Sequence, residues 1–220
     1  IALNKEIKFV SESMKIKKLY PESIYIGGGT PTTLTAYQLD KLITHIEHSF
    51  DYKKLKEFTV EAGRPDTITK DKLDVIKAHG INRISINPQS MKDRTLELIG
   101  RSHSANDIRK AFELAKNYNF ESINADVIAG LPEETLEDFE KTLNEMIKIG
   151  ANNITVHTLA IKRASKLVDI DKNYHYSHAG IVAEMIDFSK RTLKEAGYEP
   201  YYLYRQKHMA GALENIGFCK

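Results

Sequence analysis

The sequence contains no tryptophan and a single cysteine, Cys219, among 220 residues. One cysteine excludes an intrachain disulfide and any metal site built only from thiolates of this chain. No hydrophobic run approaches the roughly 18 apolar residues that a membrane span needs, and no segment resembles a signal peptide. These absences predict a protein of a reducing, cytoplasmic compartment without a membrane partner.

An excess of charge of one sign is also lacking. The 32 lysines and arginines nearly balance 30 aspartates and glutamates, which gives a net charge of +2. A nucleic-acid interface needs basic residues gathered in one patch, so we expect no nucleic-acid partner. The 41% of hydrophobic residues is enough for one core, which predicts a single domain over residues 1–220. Because the chain begins with Ile1 rather than with Met, we expect it to be incomplete at its N-terminus. We also expect it to be incomplete at its C-terminus.

Amphipathic segments alternate with short β-branched runs along the whole chain. The helices are predicted at Leu3–Leu19, Ala36–Ser49, Lys70–His79, Ala105–Tyr118, Leu136–Ile149 and Tyr174–Ala196. The strands are predicted at Ser23–Ile26, Glu57–Glu61, Arg83–Asn87, Ser122–Ile128, Asn153–Leu159 and Tyr198–Tyr204. Helix ends carry the expected signals, with cap-like Thr69, Ser104 and Thr135 at the starts and Gly80, Gly150 and Gly197 at the ends. This alternation predicts a parallel sheet with helical crossovers.

Polar residues alternate with apolar ones within several predicted strands. Ser85 and Asn87 alternate with Ile84 and Ile86, and the fourth and fifth strands repeat the pattern. A sheet with one face on helices and the other lined by polar groups fits a barrel or half-barrel around a polar cavity. A doubly wound sheet, the alternative, would bury both faces under helices. The predicted fold class is therefore α/β, as a partial barrel.

A glycine run stands at the carboxyl end of the first predicted strand, the end at which barrels of this kind carry their sites. Gly27-Gly28-Gly29-Thr30 offers backbone N–H groups that suit a carboxylate or phosphate. The alternative is a plain turn into the next helix. The run matches neither GxGxxG nor GxxxxGK[ST], which argues against a dinucleotide or P-loop site.

Polar side chains stand at the other strand ends: Glu61, Gln89, Asp126 and His157. Burial of a lone charge is costly, so each carboxylate there needs a partner or a proton. Glu61 and Asp126 are suited to accept hydrogen bonds from an ammonium group or ribose hydroxyls; the alternative is a pair with a core arginine or backbone amides. Arg101, between two helices, indicates by itself only a surface cation.

Four motifs in the same order resemble the oxygen-independent coproporphyrinogen III oxidase group of radical S-adenosylmethionine (SAM) enzymes, and within it the coproporphyrinogen dehydrogenase variant. They are Tyr25-Ile26-Gly27-Gly28-Gly29-Thr30-Pro31-Thr32, Arg83-Ile84-Ser85-Ile86-Asn87-Pro88-Gln89-Ser90, Ile99-Gly100-Arg101-Ser102-His103 and Asn124-Ala125-Asp126-Val127-Ile128-Ala129-Gly130-Leu131-Pro132. The resemblance implies a partial (β/α)6 barrel of the radical SAM type, with SAM lying across the strand ends.

The resemblance also implies a role for each matching residue. Gly28, Gly29 and Thr30 would meet the methionine amino end of SAM, with Glu61 beside it. Arg101 would pair with the SAM carboxylate, and Gln89 and Asp126 would hold the ribose hydroxyls. Ile128 and Ala160 would flank the adenine. SAM offers one ammonium, one carboxylate, a diol and a flat ring, which match these donors and acceptors.

The family chemistry is the oxidative decarboxylation of two propionates of coproporphyrinogen III to the vinyl groups of protoporphyrinogen IX. The implied cofactors are SAM and a [4Fe–4S] cluster, and the implied partners are the porphyrinogen and an unidentified electron donor. Lys162, Arg163 and Lys166 follow the fifth strand and form either a solvated rim or a binding site for the propionates.

One departure from the family pattern is large. Family members hold the cluster with CxxxCxxC after the first strand, and this sequence has no such motif. We therefore expect a fragment that lacks the first strand and the cluster loop, supplies no cluster ligands and is inactive by itself.

Two other functions stay open. One is a related chaperone that binds heme and has no oxidase activity. The other is a small (β/α) enzyme that uses Glu61 and Asp126 as acid and base without iron or SAM.

Overall fold

The computed structural model describes residues 2–160, 179–205 and 213–220. Its helices are α1 Ala2–Ile16, α2 Ala36–Ser49, α3 Lys70–Ala78, α4 Asp93–Leu98, α5 Ala105–Lys116, α6 Leu136–Ile149 and α7 Ala179–Glu195. Its strands are β1 Ser23–Ile26, β2 Glu57–Glu61, β3 Arg83–Gln89, β4 Ser122–Ala129, β5 Asn153–Thr158, β6 Glu199–Tyr204 and β7 Asn215–Cys219. Short 3-10 turns at Pro31–Thr33 and Pro65–Thr67 follow β1 and β2.

The strands form one mixed sheet in the order β1-β2-β3-β4-β5-β7-β6. Strands β1 to β5 pair in parallel, as predicted. The prediction of a wholly parallel sheet is wrong at one edge, because β7 was not predicted and inserts antiparallel between β5 and β6. Strand β7 is only five residues long, and its place depends on pairing with distant strands rather than on local periodicity. Strands β1 and β6 are the outer strands of the described sheet.

The predicted helices are all found, with small differences at their ends. Helix α1 ends at Ile16 rather than Leu19 because Lys18 adopts a left-handed backbone, with φ of 54°. The short helix α4 was not predicted. The predicted start of the last helix at Tyr174 lies outside the described residues.

The helix-end signals act largely as expected. Ser104 and Thr135 each form a capping box with the residue three positions on. Gly150 ends α6 in the left-handed region, with φ of 84°. Thr69 stands at the start of α3 but makes no side-chain cap, since its hydroxyl bonds to Asp71 instead.

The two faces of the sheet differ sharply. The outer face packs against helices and forms the core, with Ile84, Ile86, Val127 and Ile154 at 1% exposure or less. Helices α5, α6 and α7 cover it. The inner face is concave and polar, so the prediction of a half-barrel is confirmed. Within the described ranges, no helix has the length and apolar character of a membrane span.

Candidate functional site

A chain of hydrogen bonds crosses the inner face from β2 to β5. The Asn124 side-chain amide donates to Ser85 Oγ (2.9 Å) and to Asp126 Oδ1 (2.7 Å), and its carbonyl accepts from Thr155 Oγ1 (3.1 Å). The parallel register sets Ser85 opposite Asn124, which makes these contacts possible. Because neighbouring polar groups satisfy one another, the face tolerates burial of its hydroxyls and amides.

Two side chains at the ends of β2 and β3 extend this chain toward the carboxyl edge. Asn87 accepts from Ser85 Oγ at 2.8 Å and donates to Glu61 Oε1 at 3.3 Å. The Glu61 carboxylate is half-buried and is held here by an amide rather than by an arginine of the core. Its second oxygen faces the glycine loop, since a Cβ added at Gly27 would lie 2.8 Å from Glu61 Oε2.

The glycine loop follows β1 as predicted and lies beside Glu61. Gly27 leaves room for the Glu61 carboxylate, and Gly28 has φ of 102°, which only glycine adopts without strain. A Cβ at Gly29 would meet nothing within 4 Å, so its backbone faces open space. Thr30 leads into the 3-10 turn, and its carbonyl accepts from Thr33 Oγ1 at 2.7 Å. The loop is therefore shaped by steric need at two positions and open at the third.

Asp126 projects from the inner face of β4 between two polar neighbours. Besides the bond from Asn124, its Oδ1 lies 3.6 Å from Nε2 of His157 on β5. These residues line a cavity of about 330 Å³ on the concave face, which Arg83 and Tyr201 also line. Among the described residues, the partners of this carboxylate are Asn124 and His157 and include no arginine, which leaves it able to accept hydrogen bonds from a ligand.

Gln89 ends β3 in an unusual backbone conformation. Its φ is 66°, in the left-handed region that residues with a Cβ rarely adopt, while its side chain is buried. The register between β3 and β4 shifts between Ile86 and Gln89. Pro88 explains the shift, since a proline in a strand donates no ladder hydrogen bond and is found at bulges.

A larger cavity, of about 600 Å³, lies at the carboxyl end of the strands. Three predicted site residues, Gln89, Arg101 and Ile128, line it together with Leu131, Pro132 and Leu159. Its lining combines the polar side chains of Gln89 and Arg101 with the apolar side chains of Ile128, Leu131 and Leu159. That combination suits a nucleoside, which has a polar sugar and a flat apolar ring.

Arg101 is half-buried and belongs to this end of the sheet rather than to the open surface, so its sequence-based interpretation as a surface cation is wrong. Burial and the nearby Arg64 lower the pKa of Arg101, and Asp66 and Glu61 act in the opposite direction. The guanidinium nevertheless stays charged at neutral pH. A half-buried arginine of this kind is a strong partner for a carboxylate.

The structure brings most of the predicted site together and leaves part of it undescribed. The glycine loop, Glu61, Gln89, Arg101, Asp126 and Ile128 share the inner face or its carboxyl edge. Ala160 forms a short bridge just after β5 and is the last described residue before a gap. The proposed substrate residues Lys162, Arg163 and Lys166 lie outside the described residues.

Sequence reasoning missed three residues that shape the site: Asn87, Asn124 and His103. The first two connect Glu61 and Asp126 through the chain of hydrogen bonds, and their signal was the polar alternation of β3 and β4. The His103 side chain is fully buried, and in the described part of the chain neither ring nitrogen has a hydrogen-bond partner. Burial and the nearby Arg101 lower the pKa of His103, so its ring is neutral at pH 7.

A family profile decides what this half-barrel is. The Radical SAM superfamily profile matches residues 4–146, more than half of the chain. This chain belongs to the radical SAM superfamily. Members of the family bind SAM and a [4Fe–4S] cluster, as solved structures of relatives with this fold show.

Individual relatives place the chain near the coproporphyrinogen oxidase group. It is 42% identical over 217 residues to the oxygen-independent coproporphyrinogen-III oxidase-like protein HemZ of Bacillus subtilis, covering 98% of this chain and 43% of that protein. It is 39% identical over 142 residues to the heme chaperone HemW of the same organism, covering 64% of this chain and 37% of that protein. The chain thus spans less than half the length of these relatives.

A solved structure confirms the fold. The radical SAM enzyme coproporphyrinogen III oxidase (HemN) of Escherichia coli matches with a TM-score of 0.74 and 22% identity. The match covers 92% of this chain and 44% of that one. The expected partial radical SAM barrel is therefore confirmed.

The residues present fit SAM and do not fit the cluster. The glycine loop, Glu61, Arg101 and a nucleoside-sized cavity stand at the carboxyl end of the sheet, and Asp126 lies on the inner face, which together match the groups of SAM. A [4Fe–4S] cluster needs several thiolates, and the whole sequence has only Cys219. Cys219 pairs with Asn153 at the amino end of β5, the end of the sheet opposite Gln89. Within the described ranges, no group of three acidic, histidine or cysteine side chains forms a metal site.

Proposed function

We propose that this radical SAM chain carries the SAM-binding half-barrel of an oxygen-independent oxidase that decarboxylates coproporphyrinogen III to protoporphyrinogen IX. The observation that carries the proposal is the match to HemZ along nearly the whole chain, together with a carboxyl-end cavity that holds Gln89, Arg101 and Ile128.

Each chemical group of SAM is assigned to particular residues of the site. The Glu61 carboxylate and the carbonyl oxygens of Gly28 and Gly29, with the Thr30 hydroxyl beside them, accept hydrogen bonds from the amino group. Arg101 pairs with the methionine carboxylate. Gln89 and Asp126 accept and donate hydrogen bonds at the ribose, and Ile128 and Ala160 pack on the adenine. These roles use the donor and acceptor capacity of each side chain.

The proposed reaction removes a hydrogen atom, one electron and CO₂ from each of two propionates, which leaves two vinyl groups. SAM, when bound beside a reduced cluster, supplies the radical chemistry that takes the hydrogen atom. An external acceptor takes the electron. This chain's own part is to orient SAM and to keep water from the inner face, and the cluster ligands must come from outside these 220 residues because the chain has one cysteine.

Holding the substrate is proposed for the cations that follow β5. Lys162, Arg163 and Lys166 carry the positive charge that two propionates require. Reversal of charge at Lys162 and Arg163 should weaken porphyrinogen affinity and leave SAM affinity unchanged. Unchanged porphyrinogen affinity would refute this assignment.

The SAM assignment is tested by one pair of matched substitutions. Arg101→Lys keeps the charge but loses the two-pronged contact with a carboxylate, so SAM affinity should fall about tenfold. The control is Arg109→Lys. Arg109 is an exposed arginine paired with Glu145 on α6, so its replacement should leave SAM affinity unchanged. Equal SAM affinities of the two variants, measured by calorimetry, would remove Arg101 from the site.

The reaction itself is tested by CO₂ release from coproporphyrinogen III under anaerobic conditions, in a polypeptide that contains this chain and a bound cluster. Release that depends on SAM supports the oxidase. Turnover by this chain without iron or SAM would instead favour an acid–base enzyme that uses Glu61 and Asp126.

A heme chaperone is the second candidate, and the match to HemW favours it. It shares the fold and the SAM contacts, so those features do not separate the two functions. Tight, stoichiometric heme binding without CO₂ release from coproporphyrinogen would establish the chaperone and exclude the oxidase.

A further inference from the structure

Two loops beside the carboxyl-end cavity are joined by several hydrogen bonds, three of which are buried or half-buried. The first is Ser90–Lys92, directly after β3, and the second runs from Glu133 into α6; we call the pair the loop clamp. Lys92 Nζ donates to the carbonyl of Glu133 (2.7 Å) and to Asp138 Oδ2 (2.8 Å). The Met91 amide donates to Thr142 Oγ1 at 3.0 Å.

The centre of the loop clamp is a hydrogen bond between Ser90 Oγ and the carboxyl group of Glu134. Ser90 is fully buried and Glu134 is 8% exposed. Ser90 Oγ also accepts from the Lys92 amide at 3.0 Å, which fixes the turn that leaves the strand. A carboxyl group in such a place is costly unless it is hydrogen-bonded, and Ser90 supplies that bond.

What the loop clamp holds is the backbone next to it. Gln89 immediately precedes Ser90 and has the left-handed φ of 66°, and the proline before it interrupts the strand ladder. A conformation of this kind costs about 1–3 kcal/mol and persists only where neighbouring structure imposes it. Ser90, the residue after Gln89, is fixed in place by its hydrogen bond to Glu134 and therefore restrains the backbone of Gln89.

We propose that Glu134 is a positioning residue, which through Ser90 holds Gln89 in its left-handed conformation and so sets the shape of the nucleoside end of the cavity. Leu131 and Pro132, which directly precede Glu133, line the same cavity as Gln89, so the loop clamp connects two parts of the cavity wall. The inference rests on the proposed function in one respect, namely that Gln89 contacts the ribose of SAM.

The protonation state of Glu134 makes the proposal testable by pH. Burial raises the pKa of Glu134 from its ordinary 4.5 to about 7; the Ser90 bond opposes this, Asp138 on α6 adds to it and Lys92 opposes it. The folded pKa lies above the unfolded one, so the stabilisation that the neutral carboxyl contributes is present at low pH. It is lost as the pH rises through about 7. The loop clamp should therefore loosen on the alkaline side.

The experiment compares Glu134→Gln, Glu134→Ala and the control Glu133→Gln, whose side chain is 57% exposed beside Arg94. Backbone protection factors for residues 89–92 are measured by hydrogen exchange at about pH 6 and about pH 8.5. The wild type and Glu133→Gln should lose protection about fivefold between the two values. Glu134→Gln, a permanently neutral group of the same shape, should keep it at both, and Glu134→Ala should lack it at both. Identical pH profiles for wild type and Glu134→Gln, or full protection in Glu134→Ala, would overturn the proposal.

SAM affinity, measured by NMR titration on the same variants, separates this inference from the proposed function. We expect the wild-type affinity to fall with pH and that of Glu134→Gln to stay constant. If SAM binds with the same pH dependence to both, the inference fails and the SAM site stands. If the wild type binds no SAM at either pH, the SAM site fails, and the protection factors still decide whether Glu134 holds Gln89.

Discussion

The two faces of the sheet come from the same strands and serve opposite purposes. In β3, Ile84 and Ile86 pack in the core against the helices, whereas Ser85, which alternates with them, lines the concave cavity and donates to Asn87. Apolar burial on the outer face supplies stability in proportion to area. The inner face contributes through hydrogen bonds that roughly balance the cost of burying the same groups. Within a single strand, alternate residues therefore contribute either to the stability of the fold or to the polar surface of the candidate site.

The strongest test of this comparison is a pair of neighbours in β3. Ile86→Ala should lower the free energy of unfolding by about 3–4 kcal/mol, because a fully buried isoleucine leaves a cavity. Ser85→Ala should lower it by about 1 kcal/mol, because two hydrogen bonds are lost with little change of volume. Urea denaturation measures both, and equal losses would contradict the separation of the faces.

The next test removes the hub of the inner face. Asn124→Ala takes away the group that joins Ser85, Asp126 and Thr155, and should cost about 1–2 kcal/mol of unfolding free energy. Because Asp126 also loses its anchor, SAM affinity should fall, which Ile86→Val, a milder change on the outer face, should not cause. Unchanged SAM affinity in Asn124→Ala would show that Asp126 needs no positioning.

A change of opposite sign is expected at Gln89. Gln89→Gly relieves the left-handed backbone and should raise the free energy of unfolding by up to about 1 kcal/mol, while removing the proposed contact with ribose. Thermal unfolding together with SAM titration checks both effects. A destabilised variant would mean that the buried side chain contributes more than its backbone costs.

The smallest effect belongs to the helical layer. His79, the C-cap residue of α3, contacts two carboxylates of α2, Asp40 at 3.0 Å and Glu47 at 2.9 Å. Burial lowers the pKa of His79, but the hydrogen bonds to the two carboxylates outweigh it, so the pKa is raised overall. Its contribution to stability is therefore full below the ordinary pKa and is lost as the pH rises through the raised value. Glu47→Gln should reduce the part of the unfolding free energy that depends on pH by about 0.5 kcal/mol, since water screens the two half-exposed carboxylates.

The parts of the fold predicted from sequence are those that local patterns encode. Helices α2 and α6 and strands β1 and β2 have the predicted bounds, because caps and periodicity mark both ends. Strand β7 was not predicted because its position depends on pairing with β5 and β6 across the sheet. Helix α4 is a six-residue helix, too short for a periodic signal.

The candidate site divides in the same way. Residue types at strand ends indicated Glu61, Gln89 and Asp126, since parallel strands end at a common edge. The left-handed backbone of Gln89 and its link through Ser90 to Glu134 were not predicted. Glu134 is distant in sequence from Gln89, and only the folded chain brings the two loops together.

Within the described residues, the outer strands β1 and β6 do not pair with each other, so the sheet is an open half-barrel. A closed barrel admits a ligand only through its mouth, so the ligand must be narrower than the ring of strands. The described sheet is open, and its concave cavity is lined by residues from both of its outer strands. The exposed rings of Tyr25 on β1 and of Tyr201 and Tyr202 on β6 come from opposite edges of the sheet and line that same cavity. A change at either edge of the described sheet therefore alters one shared cavity.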